Sequence, residues 1–332
     1  MKILTIKEVI YATQGKYPGN QFDISINGVS TDSRTTKEQD LFVPLTGPNF
    51  DGHDFIKQAL EKGAAATLCD KSKKAKVDGL PYENIIFVDN TQSALLDLAA
   101  YYRRLFDIPF VAVTGSVGKT TTKEMIAEIL KTRFTVLKTP GNLNNEIGLP
   151  HTLFQLDEGY QVGVVELGMS GFGEILRLAN IVMPKVAVIT NIGITHIEKL
   201  GSKKNIARAK MEILEPLDKS NLAILNADNH ELWDIKNTIV PKTVFFGQEH
   251  GDIRAKNIKS DGVNGLEFDV YGCYGETTFE VSLPGIHNVN NALAAIAVGF
   301  EMGFTKEEIQ RGLLNLELPE MRLQFKKSFF GA

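Results

Sequence analysis

From residue 110 onward, short runs of β-branched and other apolar residues alternate with stretches whose apolar residues recur at helical spacing. The pattern predicts strands at 110–114, 134–138, 161–167, 185–190, 221–226 and 242–246. It predicts helices at 120–131, 146–155, 172–180, 202–215, 228–237 and 287–302. That alternation is the signature of a mostly parallel sheet covered by helices on both faces. Segments 263–270 and 277–283 alternate with period two and read as an antiparallel hairpin added to the sheet, followed by a last helix at 305–314.

The chain before this region is built from shorter pieces. A capped helix is expected at 5–13, strands at 41–45, 64–68 and 85–88, and helices at 54–62 and 91–106. The segment 28–34 is polar and turn-rich, and the lysine-rich stretch 71–76 reads as a solvated loop. The fold class is therefore α/β, with a small N-terminal α/β domain at 1–84 and a central domain at 85–316. Residues 317–332 complete no pair of elements and read as the stub of a further, largely absent C-terminal domain.

Composition narrows the class. A length of 332 residues, 43% hydrophobic and 23% charged, suits a globular protein with two or three domains. The net charge of −4 and the lack of a long basic run do not suggest a nucleic-acid partner. Cys69 and Cys273 lie far apart and show no metal-ligand spacing, which fits a reduced, cytoplasmic setting. No apolar stretch long enough to span a bilayer and no signal peptide is evident, and the expectation is a monomer without membrane insertion.

Candidate chemistry centres on 110–125, FVAVTGSVGKTTTKEM. An apolar strand ends at Thr114-Gly115, a turn follows through Ser116, Val117 and Gly118, and a helical pattern opens with Lys119, Thr120 and Thr121. Backbone N–H groups of such a turn converge ahead of a helix N-terminus, where the dipole favours negative charge. Lys119 places a cation on phosphates, and the Thr120 hydroxyl can reach a bound Mg²⁺. The common G-x-x-x-x-G-K-[ST] pattern would have glycine at 113, where Val113 stands, so the loop is a shorter variant. An ordinary glycine-containing strand-to-helix turn with a surface lysine is the plain alternative. The ligand expected on the phosphate-binding reading is ATP.

Ligands of open parallel sheets sit beyond the carboxyl ends of the strands. Two further strand ends carry informative residues: Glu166, which interrupts an apolar run, and His196, which closes Thr190-Asn191-Ile192-Gly193-Ile194-Thr195-His196. Beside a triphosphate, a carboxylate and an imidazole suggest divalent-metal ligands; a structural ion pair and a hydrogen-bonded loop histidine are the alternatives. Lys210 taken alone is a solvated helix lysine. His287, Asn288 and Asn291 open an alanine-rich helix, where an asparagine cap explains much of the pattern and contact with a purine is the weaker reading. The amide-rich loop with Asn142, Asn144 and Asn145 follows the second central strand and suits a polar substrate.

Several motifs in order resemble the Mur ligase family, ATP-dependent amide-forming enzymes of peptidoglycan assembly: STDSR, DGHDF, TGSVGKTTTKE, TPGNLNNEIGLP, ELGMS, NIGITHIEKLGS, ARAKMEI and PGIHNVNNALAA. The resemblance spans about residues 25–324, and TPGNLNNEIGLP is most similar to the member that adds D-alanyl-D-alanine to UDP-N-acetylmuramoyl-tripeptide. The member that adds the third amino acid is the nearest competitor. A fragment that binds nucleotide and UDP-precursor without turnover is a second reading, and a folate-polyglutamate ligase a third.

The resemblance implies that Lys119 and the amides from Thr114 to Thr121 hold ATP phosphates, with His287, Asn288 and Asn291 at adenosine and Arg322 approaching ATP. It implies one Mg²⁺ on Thr120 and Glu166, and a second served by His196 and a carbamylated Lys210, with Lys119, Lys210 and His196 as the catalytic set. Ser30, Asp32, Ser33, Arg34, Thr46, Asp51, Gly52 and His53 would hold the UDP-sugar, and Asn142, Asn144 and Asn145 would face its peptide. The implied activity is ADP-forming, two-step peptide ligation in cell-wall synthesis, and so in cell shape and division.

Overall fold

The structure is a computed structural model that describes residues 1–262 and 265–316. Expectations falling on 317–332, Arg322 among them, lie outside the described residues. The chain divides into two compact units, one of Met1–Asp107 with Glu146–Gly159, the other of Ile108–Asn145 with the chain from Tyr160 onward. The helix Thr91–Arg104 and the segment 146–159 thus pack with the first unit, whereas the sequence reading drew the boundary at 84.

In the first unit, β1 (Leu4–Thr5) and β2 (Ser25–Ile26) pair antiparallel around the helix Ile6–Thr13. A capping box starts that helix: Glu8 N–H bonds to the Thr5 hydroxyl while the Glu8 carboxylate accepts from Thr5 N–H. A four-stranded parallel sheet follows in the order β3 (Gly28–Ser30), β4 (Asp40–Phe42), β5 (Ala66–Asp70), β6 (Ile85–Val88). Phe42, Ile56, Cys69, Val77, Ile85 and Phe87 form its core. The predicted 54–62 helix is in fact a 3₁₀ turn, Gly52–Phe55, running into the α-helix Ile56–Glu61.

The second unit is organised on a nine-stranded sheet. Its strands are β7 (Phe110–Thr114), β8 (Val136–Lys138), β9 (Val162–Glu166), β10 (Val186–Ile189), β11 (Leu222–Asn226), β12 (Lys242–Gly247), β13 (Ile253–Ser260), β14 (Leu266–Gly272) and β15 (Gly275–Val281). They lie in the order β15-β14-β13-β12-β11-β10-β7-β9-β8. All neighbours from β13 to β8 are parallel, and β14 and β15 add antiparallel. β7 therefore sits between β9 and β10, and the three strand ends singled out by sequence are neighbours.

β7, β9 and β10 are buried on both faces, which is why they read as continuous apolar runs. The helices Lys119–Lys131 and His287–Glu301 cover one core with Ile126, Ile129, Leu293 and Ile296, all fully buried. Each such side chain contributes roughly 1.5–3 kcal/mol on leaving water.

Further elements differ from expectation in the second unit. The antiparallel addition has a third strand partner, β13, which the sequence pattern hides: Asn257 has φ 51° within a bulge between Lys256 and Lys259, so the alternation slips by one. The helix predicted at 228–237 contracts to His230–Trp233.

Candidate active site at the loop after β7

The loop after β7 needs glycine at two positions. Gly115 has φ 150°, and a Cβ there would lie 1.9 Å from the Thr190 hydroxyl. Gly118 has φ 80°, and its Cβ would meet Asn291 Oδ1 at 2.3 Å. The loop tip is fastened from the β10 side. Ser116 and Val117 N–H donate to Asn191 Oδ1 (3.1 and 3.0 Å), Thr190 Oγ1 donates to Val117 O (2.6 Å), and Gly193 N–H donates to Ser116 Oγ (2.8 Å). Thr122 N–H is the first to close a helical turn, on Gly118 O at 2.8 Å. The amides of Thr120 and Thr121 come before it, where an α-helix offers no carbonyl partners and an anion can serve.

Lys119 Nζ folds over the loop and donates to Gly115 O (3.0 Å) and Ser116 O (3.4 Å). Lys210, 2% exposed rather than solvated, donates to the same Gly115 carbonyl at 3.0 Å. Burial, then the neighbouring Lys119 charge, push the Lys210 ammonium down to about 7. His196 is lowered by burial and by Lys210, Lys119 and Lys199, against Glu174. Its backbone is left-handed, at φ 64°. Lys119, Lys210 and His196 thus share one electrostatic neighbourhood.

Glu166 stands at the end of β9, 2% exposed, and accepts from the Thr120 hydroxyl at 2.7 Å and from Asn144 Nδ2 at 2.6 Å. A hydroxyl and a carboxylate are hard oxygen donors of the kind Mg²⁺ takes. Among the described residues no group of three or more His, Cys, Asp or Glu is placed to hold a metal. The buried Thr195 hydroxyl next to His196 has no hydrogen-bond partner among the described residues, an opening for a further ligand. The residues present fit Mg²⁺.

Other expected contacts are placed differently. Asn144 grips Glu166, while Asn142 and Asn145 are exposed. Asn288 and Asn291 are buried: Asn288 Nδ2 donates to Pro284 O (2.8 Å), Asn291 Nδ2 donates to Asn288 Oδ1 (2.9 Å), and Thr122 Oγ1 donates to Asn291 Oδ1 (3.2 Å). These amides tie the helix His287–Glu301 to the loop helix, and His287 is left exposed. Sequence reasoning missed Asn191, Thr139 and Lys123. Asn191 was the most legible, an amide directly after the apolar run of a strand end.

The first unit carries its own candidate site. A cavity of ≈ 430 Å³ is lined by Ser30, Asp32, Thr35, Lys37, Asp40 and His151, among others. Arg34 donates to Asp32 (2.7–3.1 Å) and holds that carboxyl down at about 2. Ser33 is turned away, donating to Gln58 Oε1 at 2.7 Å.

His53 is turned into the interior of the unit. It is buried, with Asp70 N–H donating to Nε2 (3.1 Å) and Nδ1 against Asp51 (2.7 Å). The stretch 71–76 is largely solvent-exposed, as expected, but forms part of the 3₁₀ segment Lys71–Val77, from which Lys73 and Lys76 reach Asp51 at 2.9 and 2.8 Å. Lys73 also donates to the Thr46 hydroxyl at 2.7 Å. Burial raises the Asp51 carboxyl, but the hydrogen bonds from Lys76, Lys73 and His53 together hold it far below its ordinary 3.8.

Asp51→Asn is expected to destabilise this unit by roughly 1–3 kcal/mol at pH 7, the usual range for a charged hydrogen-bond network losing a partner. A carboxyl depressed in the fold stabilises above its ordinary pKa and loses that effect as pH falls. The gap in melting temperature between wild type and variant should therefore narrow below about pH 4, and a gap independent of pH would contradict this role for Asp51.

Two family models match: the Mur ligase family catalytic domain over residues 25–103 and the Mur ligase middle domain over residues 113–299. The UDP-N-acetylmuramoyl-tripeptide–D-alanyl-D-alanine ligase of Bacillus subtilis (strain 168) is 40% identical over 331 residues, 98% of this chain and 70% of that one. A crystal structure of MurF from Acinetobacter baumannii superposes with a TM-score of 0.91 at 32% identity, covering 99% of this chain and 72% of that one. MurF ligase from Thermotoga maritima, solved in complex with ADP, gives 0.79 at 31% identity, covering 88% and 66%.

Proposed function

The chain belongs to the Mur ligase family, and from that premise we propose that it joins D-alanyl-D-alanine to UDP-N-acetylmuramoyl-tripeptide with conversion of ATP to ADP, in peptidoglycan precursor synthesis. The observation that carries the reading is the junction of Thr120 and Glu166, 2.7 Å apart beside Lys119 at the start of the loop helix. The chain spans 70% of the length of its B. subtilis relative. Readings as a third-amino-acid ligase, a folate-polyglutamate ligase or a fragment without turnover are not favoured beside relatives of this name.

The substrate carboxylate attacks the γ-phosphorus of ATP, and the bond to ADP breaks, giving an acyl phosphate. The amine of D-alanyl-D-alanine then adds to the acyl carbon, loses its proton, and phosphate leaves as the amide forms. Lys119 and the amides of Gly118 to Thr121 orient the phosphates and oppose their charge as it shifts. Thr120 and Glu166 would hold one Mg²⁺, and His196 with a carbamylated Lys210 a second. When bound, Mg²⁺ supplies charge neutralisation at the transferring phosphoryl group. Asn291 lies so close to Gly118 that a Cβ there would clash with it, and Asn191 fixes the loop tip by accepting from Ser116 and Val117 N–H. In the first unit, Ser30, Asp32 and Arg34 would hold the UDP end, while Lys73 joins Thr46 and Asp51 in an ion-pair cluster of their own. A cytoplasmic location and a monomeric state complete the proposal; no helix among the described residues is long and apolar enough to cross a membrane.

Calorimetric titration with UDP-linked muramoyl tripeptide and dipeptide tests the substrate. The tripeptide is expected to bind at least about tenfold more tightly, near 1.4 kcal/mol. Preference for the dipeptide would move the chain to the neighbouring activity.

A further inference from the structure

Lys123 lies one turn beyond Thr120 on the loop helix and has no exposed side-chain surface. A buried ammonium persists only when paired and hydrogen-bonded. Lys123 Nζ pairs with Glu124 at 2.8 Å and donates to Thr139 O at 2.6 Å, with Gly141 O at 3.5 Å. Glu124 is held in turn by Lys138. The two carbonyls belong to the loop that cradles Glu166. The Thr139 hydroxyl accepts from Glu166 N–H at 3.0 Å, Asn144 Nδ2 donates to Glu166 Oε1 at 2.6 Å, and Asn144 O accepts from Gly168 N–H at 2.8 Å.

We infer that Lys123 is a positioning residue that sets the 139–144 loop, and through it the Glu166 carboxylate, in register with the Thr120 hydroxyl on its own helix. Residues three apart on a helix lie on one face, so a single rigid element carries both the hydroxyl and the clamp on the loop opposite. Lys123 has no exposed side-chain surface, so its role is to position the loop. The inference rests on the reading that Thr120 and Glu166 hold a divalent cation beside nucleotide phosphates.

The test is ADP binding by calorimetry, with and without Mg²⁺, on the 332-residue chain carrying Lys123→Met, and on the charge-balanced pair Lys123→Met with Glu124→Gln. The Mg²⁺-dependent gain in ADP affinity is expected to fall about tenfold or more, as when a residue supporting a metal ligand is removed, while Mg²⁺-free affinity stays within about twofold. Adding Asn144→Ala should cost little further, because both changes release the same carboxylate. Thr139→Val, which leaves Lys123 paired, should move the gain in the same direction. An unchanged Mg²⁺ gain, an equal loss without Mg²⁺, additive effects of Lys123 and Asn144, or an inert Thr139→Val would each overturn the inference. A wild-type chain that binds ADP with no Mg²⁺ gain would instead reject the metal reading beneath it.

Discussion

Lys119→Met is expected to reduce ATP-dependent phosphate release by about a thousandfold, the scale seen when one preorganised charge stabiliser is removed from a transferring group. Methionine keeps the length and packing of the side chain and removes only the charge. In the ligand-free fold Lys119 rests on Gly115 O and Ser116 O, so its ammonium is already held over the loop and little ordering remains when phosphates arrive. Affinity for the UDP-linked tripeptide should stay within about twofold, because the residues proposed for the UDP end lie in the other compact unit. The measurements are a coupled phosphate assay and a separate titration with the tripeptide precursor. Undiminished turnover would remove Lys119 from the mechanism. A matching loss of tripeptide binding would point to a damaged fold.

The central sheet was legible because each of its inner strands is buried on both faces. Val111 to Val113, Val162 to Val165 and Val186 to Ile189 could hardly be anything but parallel strands once glycine turns and helical stretches separated them. The same burial made Glu166 conspicuous: a carboxylate in such a run has either a partner or a ligand, and Thr120 and Asn144 are the partners found. β13 was illegible because its outward face is Arg254, Lys256 and Lys259 and its bulge at Asn257 breaks the period.

The site was harder to read where polar side chains serve the backbone. Asn288, Asn291 and Asn144 look like ligand-binding amides in sequence, yet each spends its hydrogen bonds inside the protein. Lys123 has the opposite disguise, a charged residue in a helix that reads as solvent-facing until the loop 139–141 closes over it. In both cases the partner is distant in sequence, and local pattern carries no information about it. His53, Lys73 and Lys76 show the same effect in the first unit, where Asp51 draws them together.

Lys210→Met is expected to lower turnover by about a hundredfold or more, with much of the loss recovered by added formate or acetate if a carbamate is what the active chain uses. The amine adds to CO₂ and releases a proton, which converts a cation beside Lys119 into an anionic oxygen donor. Only the neutral amine can react. An exposed lysine is almost wholly protonated at pH 7, whereas burial and the Lys119 charge push Lys210 down to about 7, so far more of the reactive neutral amine is present there. The geometry agrees: Lys210 is 2% exposed and its Nζ lies 3.0 Å from Gly115 O, within the loop that would carry the phosphates. Incubation with ¹³C-bicarbonate and Mg²⁺ should give one slow-exchanging carbamate carbon by NMR, absent in the variant. The signal should rise with pH through 7 and fade toward pH 6, where the ammonium form predominates. A Lys210→Met chain with full turnover would rule out this role. Lost turnover without the labelled carbon, and without rescue by small carboxylates, would leave Lys210 acting as the ammonium that braces the Gly115 carbonyl.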